Sequence, residues 1–164
     1  MIITPYEFEM DEPMSNYEPP TWVKSESTNY KRWLNKMANR VVKHKRKYGE
    51  SHNVKQTMDS IHQAMQLSDG IDPYDGTMMK SELIDIYMMK GGTLDANSKK
   101  EFFRMPTIKY QSIEQSCVFE IMSMQSNEAK GEMSHEEYLN HCRAVVNHYR
   151  VEKNLACNKK TSEH

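Results

Sequence analysis

Basic side chains recur on one face of a segment that contains no acidic residue. Residues 31 to 47 include eight lysines and arginines and no aspartate or glutamate. At 3.6 residues per helical turn, five of them fall within about 80° of one another, and we name these five the basic ridge: Arg32, Lys36, Arg40, Lys43 and Lys47. Several ammonium and guanidinium groups on one surface can neutralise the phosphates of a nucleic acid. The basic ridge therefore predicts a nucleic-acid-binding helix, and a merely solvated helix face is the alternative interpretation.

Other reactive side chains form weaker patterns. Three histidines share the last predicted helix: His135, His141 and His148. Their spacing drifts around a helix, so a metal site is disfavoured. His62 lies beside the apolar stripe of another helix, where a hydrogen-bonded histidine is more common than a catalytic base. The chain has three cysteines without a CxxC pair and no GxxxxGK[ST] phosphate loop. These patterns predict no metal, no cofactor and no nucleophilic catalysis.

Composition places the chain among small proteins with one domain. The 164 residues have a net charge of −1, but the first twenty contain five acids and no base, with four prolines. Residues 1–22 are therefore predicted to form an acidic flexible arm. Solvation is the simpler role for this arm, and covering the basic ridge is the other. The sequence lacks a bilayer-length apolar run and a basic, apolar leader, which predicts a cytoplasmic protein.

Helical periodicity dominates the first half of the chain. A basic helix is predicted at about 30–48, capped by Asn29, with an apolar stripe on its inner face: Trp33, Leu34, Met37, Ala38, Val41 and Val42. A second helix is predicted at about 54–68 from Val54, Met58, Ile61 and Met65. Residues 72–76 have turn chemistry, and a short helix is predicted in the segment SELIDIYMM.

The second half predicts two strands followed by a helix. TIKY and the alternating VFEIMSM are typical of strands and could pair as a hairpin. Ser134 and Glu137 have the spacing of a capping box, and the helix that follows has an apolar stripe: Tyr138, Cys142, Val145, Val146 and Tyr149. Residues 153–164 are predicted to be a polar tail. The fold class predicted is α+β, with one domain at 23–152.

Five segments taken in order resemble the bacterial and phage HNH endonucleases, the family of the ββα-metal or His-Me finger. They are YKRWLNKMANRVVKHKRKYG, IHQAM, GIDPYDG, PTIKY and FEIMSMQSNEAKGEMSHEEYLNHCRAVVNHY. The resemblance covers roughly residues 30 to 149, and SNEAKGEMSHEEYLNHC is its most specific part. It implies a ββα finger at about 106–150. In active members an Asp-His pair and an Asn surround a magnesium-type ion, which stabilises charge at the phosphate while the His accepts a proton from water.

The sequence departs from this family at the catalytic pair. The resemblance places Lys109 at the metal-binding Asp and Tyr110 at the His, and only Asn127 matches. An ammonium repels a divalent cation, and a phenol with a pKa near 10 is a poor base at neutral pH. The resemblance therefore implies an inactive relative that binds duplex DNA without cutting it, as a sequence-specific repressor or a site-occluding protein. Lys109 would lie near the phosphate and contact it.

The sequence leaves two other functions open. One is a protein-binding inhibitor or interaction module on the same fold, and the other is a metal-dependent DNA endonuclease with ligands outside the aligned positions. Partners left open beside DNA are a second copy of the chain, for which no interface residues are indicated, and another protein. The resemblance implies a phage or mobile-element origin, hence a bacterial or phage-infected cytoplasm.

Overall fold

The computed structural model describes residues 16–49, 52–110 and 119–161, except the side chains of Tyr110 and of residues 152–161. Within these ranges a two-stranded antiparallel sheet is preceded and followed in the sequence by helices. In chain order the elements are α1 (Ser27–Arg46), α2 (Val54–Leu67), α3 (Leu83–Met89), a short 3-10 helix (Lys99–Phe102), β1 (Pro106–Tyr110), β2 (Phe119–Ser123), α4 (Met124–Lys130) and α5 (His135–Thr161). The predicted α+β class is confirmed.

Helix α1 lies at the centre of the core. All six residues of its predicted apolar stripe are buried, and Trp33 and Leu34 are completely so. The helix begins at Ser27, so the prediction that Asn29 caps it is wrong. Asp85 of α3 binds the residues around this helix start: its carboxylate accepts from Ser25 Oγ at 2.7 Å, the Glu26 N–H at 3.2 Å and Asn29 Nδ2 at 3.0 Å. A negative charge from a residue distant in sequence thus lies at the N-terminus of α1, where the helix dipole favours it.

Helix α2, which the sequence predicts, packs along α1. Asn53 is its N-cap, and the side-chain oxygen accepts from the Lys55 N–H at 2.8 Å. Met58, Ile61 and Met65 are buried in the same cluster as the stripe of α1. Both predicted helices are therefore present, and only the residues at which they begin or end differ from the prediction.

The chain before α1 is packed rather than free. Tyr17 is buried and donates from its hydroxyl to Asp59 Oδ1 at 2.7 Å. Trp22 donates from Nε1 to the Met65 carbonyl at 3.2 Å, and its ring lies against Gly70. Residues 16–22 thus belong to the domain, so its predicted start at residue 23 is too late. The rest of the predicted arm, residues 1–15, lies outside the described residues.

The predicted hairpin is present. β1 and β2 pair antiparallel, from Pro106 opposite Ser123 to Tyr110 opposite Phe119. A helix that the sequence did not predict, α4, follows β2 directly, and Ser123 Oγ caps it by accepting from the Ser126 N–H at 3.1 Å. The order is therefore strand, strand, short helix, long helix, and the ββα finger predicted at 106–150 gains this extra element.

Helix α5 begins as predicted and continues further. In the capping box the Ser134 N–H donates to Glu137 Oε2 at 2.7 Å and the Glu137 N–H donates to Ser134 Oγ at 3.2 Å. The helical backbone runs to Thr161, through most of the predicted tail. An apolar helical stripe is typical of a face that packs on the core, yet Val145 and Val146 are exposed.

We expect alanine at Gly70 to destabilise the fold more than alanine at Gly76. Both glycines have positive φ, +81° and +67°, so both variants bear a backbone cost of about 1–2 kcal/mol. A Cβ at Gly70 would also lie 2.7 Å from Trp22 Cε3, whereas none of the described atoms lies within 4 Å at Gly76. Urea unfolding should show an additional loss of about 1–3 kcal/mol for Gly70→Ala. Equal losses would contradict the packing of Trp22.

Candidate nucleic-acid interface

The fold turns the acid-free side of α1 toward solvent. Because the apolar stripe of α1 is buried, the opposite side of the helix faces water. Arg32, Lys43 and Lys47 are all exposed there. Arg46, which the basic ridge did not include, is exposed beside them in the last turn. These four side chains form a basic surface on a helix whose other side is fixed in the core.

Two residues of the basic ridge, Lys36 and Arg40, are hydrogen-bonded to α3 and to the glycines that follow it. Lys36 Nζ donates to the Gly91 carbonyl at 3.0 Å. Arg40 Nη2 donates to the Tyr87 hydroxyl at 2.6 Å and to the Gly92 carbonyl at 3.4 Å. Cations are favoured at a helix C-terminus, where carbonyl groups lack helical partners. Lys36 and Arg40 therefore hold α3 against α1 as well as adding positive charge.

One lysine of the basic segment faces inward. Lys45 is only 6% exposed, although lysine is among the residues that are least often fully buried. The sequence contains the signal for this placement, because Lys45 follows Val41 by four residues and Val42 by three, which is the spacing of one helix face. The basic ridge therefore correctly excludes Lys45, and its charge does not contribute to the exposed surface.

The structure brings Lys109 and Asn127 to the same turn. Lys109 lies in β1, and its ammonium donates to the Gly131 carbonyl at 2.5 Å and lies 3.7 Å from Glu132 Oε1. Asn127 lies within α4, and its backbone carbonyl accepts from the Gly131 N–H at 3.1 Å. Its side-chain oxygen is buried without a hydrogen-bond partner in the described structure. The ammonium thus binds the end of α4, not open solvent.

These residues do not fit a divalent cation. Magnesium requires oxygen ligands in near-octahedral geometry, including carboxylates, whereas the Asn127 amide is neutral and the nearby Lys109 is a cation. Within the described ranges no three or more His, Cys, Asp or Glu side chains converge as a metal site would need. The Tyr110 side chain lies outside the described structure. We derive no metal-dependent step for this turn.

The Asp72 carboxylate fixes the position of α4. The sequence indicated only that this residue belongs to a turn. Asp72 is completely buried. Its carboxylate accepts from the Ser123 N–H at 2.7 Å, Ser126 Oγ at 3.0 Å and the Tyr74 N–H at 2.9 Å. Burial favours a higher pKa, but the hydrogen bonds from Ser123, Tyr74 and Ser126 hold the pKa of Asp72 below its ordinary value. The turn at 72–76 is thereby joined to the junction of β2 and α4.

Tyr74 connects the same turn to α5. Its hydroxyl donates to Glu120 Oε2 at 3.1 Å and lies 3.2 Å from His135 Nδ1, and its ring meets the Tyr138 ring edge-on. Burial and the Glu120 charge raise the pKa of Tyr74, so the phenol stays protonated at neutral pH. His135 is thus a partner of Tyr74 at the start of α5, which explains its position without a metal.

His62 is a hydrogen-bonded residue of the core edge, as the sequence indicated. Its Nδ1 lies 3.0 Å from the Tyr30 hydroxyl, and the Tyr17 ring meets it edge-on. Burial lowers the pKa of His62, and the charge of Asp59 opposes that shift. These contacts give the imidazole a packing role.

Comparison with known proteins finds no matching family model, no matching curated protein and no matching solved structure. The resemblance to HNH endonucleases therefore stays a prediction, and so does the function that it implies. In the part of the chain that the structure describes, no helix has the length and apolar character needed to cross a bilayer.

We expect Asp72→Asn to destabilise the protein by about 2–3 kcal/mol at pH 7, because one amide cannot accept all the hydrogen bonds made to a carboxylate. The folded pKa of Asp72 is lowered, so its contribution to stability is complete above about pH 4 and is lost as pH falls through the folded pKa. The difference between wild type and variant should therefore shrink below about pH 4. Urea unfolding between pH 2 and 7 measures it.

The control for this variant is Asp69→Asn in the same loop. Asp69 is exposed and accepts from the Ile71 N–H at 2.9 Å. We expect it to cost less than about 1 kcal/mol, the typical net value of one solvent-accessible hydrogen bond. An equal loss in both variants, or a difference that did not change with pH, would contradict the role given to Asp72.

Proposed function

We propose that the protein binds duplex DNA through the exposed basic side of α1 and does not cleave it. One observation carries this proposal: an acid-free helix is fixed in the core by one side and presents Arg32, Lys43, Arg46 and Lys47 on the other. Several cations held on one rigid element neutralise phosphates with little loss of conformational freedom. A solvated surface without that role would have no need for such segregation of charge.

The length of this surface suits a short stretch of duplex. Arg32 and Lys47 are separated by fifteen residues, which is about 22 Å along a helix and corresponds to roughly six to seven base pairs. Arg40 lies between them, bound to Tyr87 through one nitrogen while the residue remains exposed. Contacts of this kind fix position on the duplex rather than read bases, so they support affinity and leave sequence preference to other side chains.

The turn around Lys109 supports binding without cleavage. The resemblance expects a metal-binding Asp at this position, and the ammonium that stands there binds the Gly131 carbonyl. We therefore assign Lys109 to holding α4 rather than to a phosphate contact. A protein that binds DNA without cutting it can occlude a promoter or the site of another enzyme, so repression is the biological role that we propose.

The triple variant Arg32→Ala, Lys43→Ala, Lys47→Ala should bind duplex DNA more weakly and with less dependence on salt. Each phosphate that is no longer neutralised should reduce the slope of log affinity against log salt by about 0.9, so the slope should fall by roughly 3. Fluorescence anisotropy of a labelled duplex of about 20 base pairs, titrated at several salt concentrations, measures both quantities.

The matched control removes three exposed lysines outside α1, through Lys24→Ala, Lys80→Ala and Lys100→Ala. Its net charge change is the same, and we expect its salt dependence to stay near that of wild type. An equal fall in affinity and salt dependence for both triple variants would mean that overall charge, rather than the basic side of α1, accounts for the binding. Absence of salt-sensitive binding in wild type would contradict the proposal and favour the protein-binding alternative.

Incubating the same duplex with and without magnesium tests the second half of the proposal. We expect the DNA to remain intact, because Lys109 places a cation where an active relative needs a carboxylate. Magnesium-dependent cut ends that disappear in Asn127→Ala would show an active endonuclease and would overturn the non-cutting assignment.

A further inference from the structure

Two asparagine side chains lie on the exposed side of α1, among the cations of that side. Asn35 and Asn39 are both exposed, and along the helix they fall between Arg32 and Lys43, which are exposed as well. By the helical period, Asn39 lies about 20° around the helix from Arg32, and Asn35 lies about 60° from it. Amides and cations therefore share the surface that the proposed function assigns to DNA.

The two asparagine side chains are joined to each other. Asn39 Nδ2 donates to the Asn35 backbone carbonyl at 2.8 Å and to Asn35 Oδ1 at 3.0 Å. A side-chain amide has N–H donors on its nitrogen and an acceptor on its oxygen. These hydrogen bonds engage the Asn39 nitrogen, which leaves Asn39 Oδ1 as an acceptor and Asn35 Nδ2 as a donor. Because both side chains are exposed, a ligand can reach this acceptor and this donor together.

Helix stability does not explain an asparagine pair in the middle of α1. Asparagine is less favourable within a helix than alanine, lysine or glutamate. In the part of the chain that the structure describes, the side-chain hydrogen bonds of Asn35 and Asn39 stay within the pair and join α1 to no other element. A ligand that pairs with one amide donor and one amide acceptor would account for both residues.

Adenine presents the complementary groups in the major groove of duplex DNA. Its N7 is an acceptor and its N6 amino group is a donor, and the groove admits an α-helix. We propose that Asn35 and Asn39 read an adenine there, with Asn35 Nδ2 donating to N7 and Asn39 Oδ1 accepting from the N6 amino group. Guanine presents two acceptors, N7 and O6. Its O6 would face the Asn39 oxygen without a proton between them, so the pair discriminates against guanine.

Base reading by this pair rests on the proposed function, because the cations of α1 must first hold the helix on the duplex. Contacts to phosphates fix position and carry no sequence information, whereas contacts to base edges specify the site. The cations therefore supply affinity, and the asparagines supply the preference for one site that a repressor needs.

Selection of bound duplexes from a randomised library, followed by sequencing, tests this role. Wild type should enrich a site in which one adenine is common to the bound duplexes. The double variant Asn35→Ala, Asn39→Ala should lose about tenfold or more of its preference for that adenine, which is within the discrimination of one bidentate base contact. Its salt dependence should stay at the wild-type value, because no phosphate contact is removed.

The matched control is Asn140→Ala, Asn147→Ala, which removes two exposed asparagines of another helix, α5. We expect this control to keep the wild-type preference. Alanine is favoured over asparagine in helices, so neither double variant should be less stable than wild type. Urea unfolding of both variants checks that a lost preference is not caused by unfolding.

An adenine analogue tests the assignment of the donor. 7-Deazaadenine keeps Watson–Crick pairing but lacks the N7 acceptor, so a duplex with this analogue at the preferred position should bind wild type about three- to tenfold more weakly. Asn35→Ala should bind the two duplexes alike, because the donor to N7 is already absent. A variant that still distinguished them would overturn the pairing of Asn35 with N7.

The outcomes separate base reading from DNA binding itself. Salt-sensitive binding without an enriched site, or with a site that lacks adenine, overturns the base-reading role and leaves the proposed function in place. Absence of salt-sensitive binding overturns both. Base reading by Asn35 and Asn39 is also overturned if their double variant keeps the wild-type preference, or if the α5 control loses it equally.

Discussion

Burial of one side of α1 is the constraint on which the rest of the structure depends. Tyr30, Trp33 and Leu34 are completely buried, and α2 and α3 both pack against this helix. Burying a large apolar side chain contributes about 1.5–3 kcal/mol, so this face of α1 accounts for a large part of the stability of a small domain. The same burial sends the lysines and arginines of the opposite face into solvent. Stability and the basic surface therefore arise from the same amphipathic pattern.

A second constraint joins the hairpin half to this core. Asp72 lies in a turn that follows α2, and its carboxylate is hydrogen-bonded to Ser123 and Ser126 at the start of α4. Tyr74, two residues later, contacts Glu120 of β2 and the start of α5. One short turn thus contacts β2, the start of α4 and the start of the long last helix. Polar contacts thus hold these elements together, whereas apolar packing holds the elements around α1 together.

Local patterns explain which elements could be predicted from sequence. The stripes of α1 and α2, the two strands and the capping box at Ser134 depend on residues within a few positions of one another. The start of α1 could not be predicted, because the Asn29 side chain does not cap the helix and instead donates to Asp85 of another helix. Helix α4 is short and depends on the distant Asp72. The hydrogen bonds that Lys36 and Arg40 make to α3 and the glycines after it could not be predicted either. Helical spacing shows which side chains share a face but not what that face contacts. The stripe of α5 shows the same limit.

The contact between Lys36 and Gly92 has a consequence for how this surface can evolve. A Cβ at position 92 would lie 2.6 Å from Lys36 Cδ, and the atoms that it meets belong to the flexible end of the lysine rather than to backbone. A residue that tolerates the positive φ of +69°, such as asparagine, would displace the ammonium from Gly91 into solvent. The positive charge that α1 exposes to solvent can therefore be changed by a substitution in a loop more than fifty residues away. Relatives with identical α1 sequences could differ in the charge that they expose.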